Sequence, residues 1–498
     1  MNIYPSLETV LELSEKYTSI PIATDILSDM VTPVSVLRKA KAQSKHVYLL
    51  ESAAESEGFG RYTFIGYDPS LEITALDGCV HVGDKVYENV HPAKLIREVL
   101  ATRRAPSLPE MPPFTGGLVG YFAYDYVKYG EPTLKLDAPN NEGFNDVDLM
   151  LFDRVIAFDN YKQKIQAIAH VEAPEGSSHA DVENAYRKAV TAIHELVDLV
   201  INGTPTPHTS GRMTGEVEPQ MSREEFEGVV LKAQHHIHEG DIFQIVPSNA
   251  LTAPFEGSLL DTYRVLRTIN PSPYMFYFSG HNIEVAGASP ETLVKLENGV
   301  LHTYPLAGTR KRGATPEEDV ALERELLADP KEVAEHNMLV DLGRNDIGRV
   351  AEFGSVEVEK YLEVLRFSHV MHIGSIVRGD LREGLDALDV VEAILPAGTL
   401  SGAPKIRAMQ LINELEGNKR GLYGGGIGYL DFSGNMDLCI AIRVAYRVGG
   451  RVFARSGAGI VRDSVPSKEY DETINKAAAT MKALRDAEAM SATEKGDR

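Results

Sequence analysis

Glu335 is a carboxylate in a stretch of sequence that otherwise predicts a buried helix. The segment 329–343 opens with an N-cap acid, a proline and a further acid three residues after the cap, and Gly343 is a natural helix end. At 100° per residue its apolar side chains spread around nearly the whole helix: Val333, Ala334, Met338, Leu339, Val340 and Leu342. A carboxylate buried among them needs a cation, a proton or several hydrogen-bond donors.

Two further carboxylates occur near the C-terminus. Glu469 and Glu472 lie three residues apart on one face of a predicted helix, and Lys476 follows four residues after Glu472. Taken alone, this pattern indicates a solvated face with an ordinary Glu–Lys pair. Together with a buried Glu335 it predicts a shared site for a hard cation, and such all-oxygen ligands suit Mg²⁺. Zinc is not expected, because no His and Cys cluster has ligand spacing.

Two glycine-rich stretches could hold an anionic ligand. Residues 395–417 read as a loop leading into a helix, whose free N–H groups bind anions well, although a plain helix entry fits the same pattern. The loop lacks the Walker pattern, so a nucleotide site is not expected. The stretch 456–461, SGAGIV, lies among hairpins, which argues against a dinucleotide fold and favours close approach of a ligand to the backbone.

Single polar residues at strand ends give weaker signals. Arg443 is predicted to share a strand face with Cys439, where it would pair with an acid or with a substrate carboxylate. Glu291 directly follows Pro290, and Gly308 falls at the end of another predicted strand. None of these residues specifies a chemistry by itself.

The elements that must position these residues predict an α+β fold, with antiparallel β-sheets packed as a sandwich and helices outside. Short β-rich segments dominate residues 1–205, and the C-terminal segment 426–461 reads as strands joined by tight hairpins. The stretch 206–220 is rich in Gly, Pro, Thr and Ser and predicts a linker or surface loop. Residues 221–498 form the larger remaining part.

Composition and charge exclude several classes of protein. The net charge of −22 argues against a basic nucleic-acid-binding face. Cys79 and Cys439 are too few for a disulfide framework, so a cytoplasmic location is expected. The N-terminus does not resemble a signal peptide, and no run of about 18 apolar residues suggests a membrane span.

Seven segments occur in the order seen in chorismate-utilising enzymes, and the chain resembles that family over most of 221–498. The segments are PLAGTRKRG, EHNMLVDLGRND, FSHVMH, LPAGTLSGAPK, RGLYGGGIGY, AGIVRDS and EYDETINKA. The stretches LLES (49–52) and NPSPYMFYF (270–278) resemble the tryptophan-site motifs of the family members that make anthranilate. The resemblance implies a regulatory part at 1–205 and a chorismate-binding catalytic part at 221–498.

Two positions separate the branches of this family. Aminodeoxychorismate synthases typically carry Lys where this chain has Ala307. Isochorismate and salicylate synthases place a water-activating Lys where this chain has Gln244, which cannot deprotonate water, whereas ammonia needs no such base. The resemblance therefore implies conversion of chorismate and ammonia, through aminodeoxyisochorismate, to anthranilate and pyruvate, the first committed step of tryptophan biosynthesis. An aminodeoxychorismate synthase and a non-catalytic tryptophan-sensing subunit are the alternatives.

The resemblance also implies roles for individual residues. Mg²⁺ would lie between Glu335 and Glu472, with Glu469 helping directly or through water, and would hold the ring carboxylate of chorismate. Glu291 would act as general acid on the departing C4 hydroxyl, with Thr399 on the C4 side and His372 near the ring. The residues implied to bind the enolpyruvyl carboxylate or complete the pocket are Arg443, Tyr423, Gly457, Ala458, Gly459, Gly308 and Thr309.

Regulation and partnership follow from the same resemblance. Tryptophan would inhibit by binding between the two parts, in a pocket lined by Leu50, Glu51, Ser52, Pro273, Tyr274, Met275 and Cys439. Neither cysteine lies on a nucleophile elbow, and no glutaminase-like segment is left over in the length. A separate glutamine amidotransferase subunit would then supply the ammonia, in a hetero-oligomer.

Overall fold

The computed structural model describes residues 1–52, 60–205, 210–366 and 370–496, with side chains described up to residue 490. The first three residues of the FSHVMH segment (367–369) therefore lie outside the described residues. The helices are α1 (Leu7–Ser14), α2 (Pro33–Lys41), α3 (Pro92–Ala101), α4 (Val127–Gly130), α5 (His179–Asn202), α6 (Arg223–His238), α7 (Leu260–Ile269), α8 (Pro316–Ala328), α9 (Pro330–Gly348), α10 (Ala387–Ile394), α11 (Lys405–Glu416) and α12 (Pro466–Gly496).

The strands are numbered in chain order. The first thirteen are β1 (Ser19–Leu27), β2 (Val47–Glu51), β3 (Tyr62–Tyr67), β4 (Leu71–Leu76), β5 (Cys79–Val82), β6 (Lys85–Tyr87), β7 (Gly117–Phe122), β8 (Val147–Phe152), β9 (Arg154–Asp159), β10 (Lys164–Glu172), β11 (Arg212–Met213), β12 (Glu218–Pro219) and β13 (Gln244–Ile245). The others are β14 (Ser248–Glu256), β15 (Tyr274–Ser279), β16 (Glu284–Ser289), β17 (Thr292–Glu297), β18 (Val300–Thr303), β19 (Leu306–Lys311), β20 (Glu357–Arg366), β21 (Val370–Asp380), β22 (Gly402–Ala403), β23 (Gly426–Asp431), β24 (Met436–Ile440), β25 (Val444–Val448) and β26 (Arg451–Gly457).

Most strands belong to two 12-stranded sheets. Sheet A has the order β1-β10-β9-β3-β2-β15-β16-β25-β26-β14-β11, with β12 also paired to β14. Sheet B has the order β19-β21-β18-β17-β24-β23-β7-β8-β4-β5-β6, with β20 also paired to β21. Strands β13 and β22 form a separate pair. Neighbouring strands run antiparallel, as between β15 and β16.

Three layers of buried side chains hold the sheets and helices together. A cluster that includes Tyr48 of sheet A and Tyr121 of sheet B fills the space between the sheets. The outer face of sheet A packs against helices that include α5 and α12, and the outer face of sheet B packs against α3, α9 and α10. The predicted α+β sandwich with helices outside is confirmed.

The two parts distinguished in the sequence share both sheets. Strand β2 pairs with β15 in sheet A, and β7 pairs with β23 in sheet B. The parts 1–205 and 221–498 are therefore interlocked, and the boundary divides the sequence without dividing either sheet. In the stretch predicted as a linker or surface loop, 206–220, the two-residue strands β11 and β12 both pair with β14.

Several local signals in the sequence are confirmed. Ser222 followed three residues later by Glu225 predicts a capping box, and the two side chains form it at the start of α6. Asp329 caps α9 by accepting from the N–H groups of Lys331 and Glu332. In the part of the chain that is described, no helix combines the length and apolar character needed to cross a bilayer.

Candidate active site

Two of the connections that pass between the two sheets lie next to each other. The first crossing joins β16 of sheet A to β17 of sheet B and contains Glu291. The second joins β24 of sheet B to β25 of sheet A and contains Arg443. The Ile440 N–H donates to the Glu291 carbonyl oxygen at 3.0 Å, and the Ala288 N–H donates to the Arg443 carbonyl oxygen at 3.1 Å. The two crossings thus lie side by side.

Glu291 is a proton donor or acceptor suited to neutral pH. The Thr399 hydroxyl donates to its Oε1 at 3.0 Å. Burial raises the pKa of Glu291 to about 7, against the hydrogen bond from Thr399 and the charges of Arg443 and Lys476, which lower it. A carboxyl group of this pKa is present in both protonation states near pH 7, as general acid–base catalysis requires.

Arg443 is a cation held in an uncommon backbone conformation. Its φ is 51°, in the left-handed region, so the chain turns sharply where it leaves β24. The prediction that Arg443 and Cys439 share a strand face was therefore wrong, because β24 ends at Ile440. Burial lowers the pKa of Arg443, while Tyr423, Glu291 and Glu472 raise it, so the guanidinium lies among groups from three elements. Burial also raises the pKa of Tyr423 to about 12, which keeps its hydroxyl protonated.

Glu335 occupies a different environment from the one predicted. It is exposed, and α9 continues through Gly343 to Gly348, so both the buried helix and its predicted end were wrong. The buried face of α9 instead carries His336, Val340, Asp346 and Ile347. Although the residue is exposed, its carboxylate is partly desolvated. This desolvation raises the pKa of Glu335, and the charges of Glu332 and Glu472 raise it further.

The three carboxylates proposed as metal ligands share one electrostatic environment. Desolvation raises the pKa of Glu469, and Glu472 raises it further. Lys476 pairs with Glu472 at 2.6 Å and lowers the pKa of both Glu335 and Glu469. Across the side chains that are described, no three His, Cys, Asp or Glu groups converge closely enough to hold a metal ion. The oxygen donors and their mutual repulsion nevertheless fit a hard divalent cation, which would neutralise them.

His372 belongs to a separate group on β19 and β21. Its Nδ1 lies 3.0 Å from the Gly308 carbonyl oxygen and 3.1 Å from the Thr309 hydroxyl. Burial lowers the pKa of His372, so the ring is neutral at pH 7, and Nδ1–H donates to the Gly308 oxygen. The ring is thereby fixed in one orientation with Nε2 as the acceptor.

The glycine-rich wall is the segment 457–459, which begins where β26 ends. A Cβ on Gly457 would lie 3.1 Å from the Tyr423 hydroxyl, and a Cβ on Gly459 would lie 3.1 Å from the Gln244 side-chain nitrogen. The intervening Ala458 is fully buried. These close approaches place Gln244 and Tyr423 against the backbone of 457–459. Close approach of a ligand to this backbone stays a prediction.

A cavity lies directly beside Glu291 and Thr399. Residues of α9 form one of its walls, namely Leu339, Leu342 and Gly343. The apolar residues that spread around α9 in the sequence therefore line a cavity as well as the core. Arg443 and the 457–459 wall do not line this cavity. The cavity and the surroundings of Arg443 are connected through Glu291, because Glu291 lines the cavity and the charges of Glu291 and Arg443 affect each other's pKa.

A second cavity brings together the residues assigned to tryptophan. All seven line it: Leu50, Glu51, Ser52, Pro273, Tyr274, Met275 and Cys439. They come from both sheets, so the cavity lies in the sandwich between the two sequence parts. The Tyr274 hydroxyl lies 3.0 Å from the Thr292 hydroxyl, one residue from Glu291. The Glu51 carboxylate accepts hydrogen bonds from the Tyr263 hydroxyl and from the Arg267 guanidinium, so it orients these two side chains.

Two features of the site were missed in the sequence. Lys476, whose pair with Glu472 the spacing on α12 predicts, also donates to the Gly457 carbonyl oxygen at 3.0 Å, a tertiary contact that the sequence pattern does not show. Arg420, which is 2% exposed, donates to the carbonyl oxygens of Leu400 and Val246 at 2.6 and 2.5 Å. It joins the loop of Thr399 to the segment after Gln244, a tertiary contact that the sequence pattern does not reveal.

Comparison with known proteins gives a consistent result. The family model for chorismate binding enzymes matches residues 45–482. The chain is 47% identical to anthranilate synthase component 1 of Aquifex aeolicus, over 98% of this chain and 99% of that protein. It is 42% identical to the protein of the same name from Acetivibrio thermocellus, over 97% and 99%.

A solved structure agrees with these sequence matches. The crystal structure of anthranilate synthase component I from Streptococcus pneumoniae TIGR4 superposes with a TM-score of 0.74 at 37% identity, covering 91% of this chain and 98% of that one. The match to the family model begins at residue 45 in the N-terminal part and ends at residue 482 in α12, so it includes both crossings. The chain therefore belongs to the chorismate binding enzyme family, with anthranilate synthase component 1 proteins as relatives over nearly its whole length.

Proposed function

We propose that the chain converts chorismate and ammonia to anthranilate, pyruvate and water. The observation that carries this proposal is Glu291, a half-buried carboxyl with a pKa of about 7 that accepts a hydrogen bond from Thr399 and senses the charge of the Arg443 guanidinium. An acid of this kind can protonate a departing hydroxyl at neutral pH, and a buried cation can anchor a substrate carboxylate. Kinship with anthranilate synthase component 1 proteins supports the same reaction.

The reaction divides into two steps. Ammonia forms a bond to C2 of chorismate while the C4 hydroxyl leaves as water, with Glu291 donating the proton and Thr399 orienting the acid. The product of this step is aminodeoxyisochorismate. Loss of the C2 proton and of the enolpyruvyl group as pyruvate then gives the aromatic ring. Arg443 and Tyr423 would hold the enolpyruvyl carboxylate, and the neutral ring of His372 would lie near the substrate ring, beside Gly308 and Thr309.

Gln244 favours ammonia over water as the nucleophile. Its side chain lies against Gly459 in the glycine-rich wall, and an amide has no basic group that could deprotonate water. Ammonia is a stronger nucleophile than water and attacks without prior deprotonation, so it needs no such base.

Mg²⁺ is the cofactor that fits the carboxylates of α9 and α12. Glu335 and Glu472 would hold it, with Glu469 helping directly or through water. When bound, the ion would supply charge neutralisation for the ring carboxylate of chorismate. Desolvation raises the pKa of Glu335 and Glu469, and acidic neighbours that include Glu472 raise it further, which supports a site for a neutralising cation.

Product analysis tests the proposed function. Purified protein is incubated with chorismate, Mg²⁺ and an ammonium salt, and the products are separated and identified. We expect anthranilate and pyruvate in equal amounts. Aminodeoxychorismate as the end product would indicate the alternative branch, and no turnover of chorismate would leave the sensing-subunit alternative.

We predict that the chain alone uses ammonia but not glutamine. Burial raises the pKa of the Cys439 thiol, and desolvation and Glu88 raise the pKa of Cys79, so neither is an activated thiolate. Cys79 does lie 3.6 Å from His81, a neighbour that the sequence did not suggest. A glutamine amidotransferase subunit would therefore supply ammonia in a cytoplasmic hetero-oligomer.

The measurement compares anthranilate formation with ammonium and with glutamine as the sole nitrogen source. The Cys79→Ala variant is the control, and we expect it to match the wild type with ammonium. Glutamine-dependent activity that disappears in Cys79→Ala would contradict the prediction of a separate subunit.

We further predict that tryptophan inhibits the enzyme through the second cavity. Bound tryptophan would favour a catalytically poor arrangement through its different affinity for two states. Ser52→Phe would fill the cavity, so we expect ammonia-dependent activity within about twofold of the wild type and no inhibition by millimolar tryptophan. Inhibition curves with ammonium as nitrogen source measure both quantities.

Ser107→Phe is the matched control, because Ser107 is an exposed serine of the N-terminal part that does not line the cavity. We expect it to retain inhibition. Normal inhibition of the Ser52→Phe variant, or a wild-type enzyme insensitive to tryptophan, would show that the cavity has another use.

A further inference from the structure

Ser289 lies at the end of β16, directly before the first crossing. It is fully buried. Its hydroxyl donates to the Ile440 carbonyl oxygen at 2.7 Å and accepts from the Glu291 N–H at 3.3 Å. One side-chain oxygen therefore contacts the backbone of both crossings, on the residue that carries the acid and on the last residue of β24.

Each crossing is a short segment between two ladders, because β16 pairs with β25 up to Gly287 and Val444, and β17 pairs with β24 from Thr292 and Cys439. The ladders bring the two crossings together, and hydrogen bonds inside the crossings then fix the placement of Glu291 and Arg443. Besides the bonds of the Ser289 hydroxyl, two backbone hydrogen bonds join these segments, from the Ile440 N–H to the Glu291 carbonyl oxygen and from the Ala288 N–H to the Arg443 carbonyl oxygen. The left-handed backbone of Arg443 is a conformation that persists when its surroundings hold it in place.

This spacing matters for the proposed reaction. Glu291 would act at C4 while Arg443 holds the enolpyruvyl carboxylate of the same molecule. An error of about 1 Å in such an arrangement can cost about 10²-fold in rate.

We propose that Ser289 is a positioning residue, whose buried hydroxyl ties the crossing that carries Glu291 to the crossing that carries Arg443. This proposal rests on the proposed function. Ser289 contacts backbone groups of the site, so it acts through the placement of Glu291 and Arg443. Substrate binding would be disturbed less than turnover, because Arg443 can still reach its carboxylate.

The test measures kcat and KM for chorismate, with ammonium as the nitrogen source, in the Ser289→Ala variant. We expect kcat to fall by about tenfold and KM to change less than threefold, since misplacement acts mainly on the transition state. Ser19→Ala is the matched control, because Ser19 is also fully buried and its hydroxyl lies 2.9 Å from His170. We expect Ser19→Ala to lose a similar amount of thermal stability with unchanged kcat.

A double-mutant cycle separates positioning from a general structural effect. In a Glu291→Gln background we expect Ser289→Ala to lower kcat less than twofold, because the placement of a missing acid no longer matters. Equal losses in both backgrounds, or a kcat loss matched by Ser19→Ala, would overturn the proposal. If Ser289→Ala does not fold, Ser289→Cys, a close isostere with a weaker donor, is measured by the same cycle. A wild-type protein that forms no anthranilate would instead count against the proposed function.

Discussion

Glu291→Gln is expected to lower kcat for anthranilate formation by about 10²–10⁴-fold, the usual contribution of a general acid. Glutamine has nearly the same shape, so it can still accept the hydrogen bond from Thr399. It has no proton to give to the departing hydroxyl. Steady-state kinetics with saturating ammonium measure the loss. The control is Glu297→Gln at the far end of β17, the strand that follows Glu291, where the carboxylate is 40% exposed and pairs with Lys295.

The pH dependence of the wild type follows from the same group. Because the acid must be protonated, kcat/KM for chorismate should decline as pH rises through about 7, once the free ammonia concentration is held constant. The Thr399 hydrogen bond lowers the pKa of Glu291, so Thr399→Val should move this decline to higher pH. In Glu291→Gln the decline should vanish. A decline that is unchanged in that variant would show that another group donates the proton.

Much of the fold could be predicted because its signals are local. The capping box at Ser222 and the N-cap at Asp329 depend on residues within three positions. The hairpin of β9 and β10 turns directly after Asp159, where the Asp-Asn pair at 159–160 predicts a turn. Such features are determined by short segments, so the sequence determines them without knowledge of the rest of the chain.

The crossings could not be predicted because they depend on which sheet each strand joins. The segment MDLCIAIRVAYRV reads as one continuous strand, yet β24 belongs to sheet B and β25 to sheet A. The sequence pattern predicts that side chains alternate between the two faces of a strand through Arg443. The left-handed backbone of Arg443 ends this alternation. Cys439 therefore lines the second cavity while Arg443 faces Glu291.

Glycine in α9 shows a second limit of local signals. Gly343 was interpreted as a helix end, but it lies inside α9 and lets the helix approach its neighbours. A Cβ there would lie 3.0 Å from Thr303 and 3.6 Å from Pro305. Whether a glycine ends a helix or permits close packing depends on what lies opposite, which the helix sequence does not contain.

Glu335→Gln is expected to abolish anthranilate formation while leaving the fold intact. Glu335 is exposed and the substitution is nearly isosteric, so little packing is lost. Removal of one ligand charge would weaken Mg²⁺ binding and with it the neutralisation of the ring carboxylate. Several kcal/mol of stabilisation of this kind corresponds to a loss of at least about 10³-fold in rate. Activity as a function of Mg²⁺ concentration measures the effect.

Asp341→Asn is the control on the same helix, because Asp341 is an exposed carboxylate paired with Arg344 at 3.0 Å. It should retain full activity. Mg²⁺ should raise the melting temperature of the wild type and of Asp341→Asn, since a ligand that binds the native state stabilises it. The same titration should leave Glu335→Gln nearly unchanged. Normal turnover and a normal Mg²⁺ shift in a folded Glu335→Gln variant would rule out α9 as part of the metal site, and the raised pKa of Glu335 would then reflect only desolvation and its acidic neighbours.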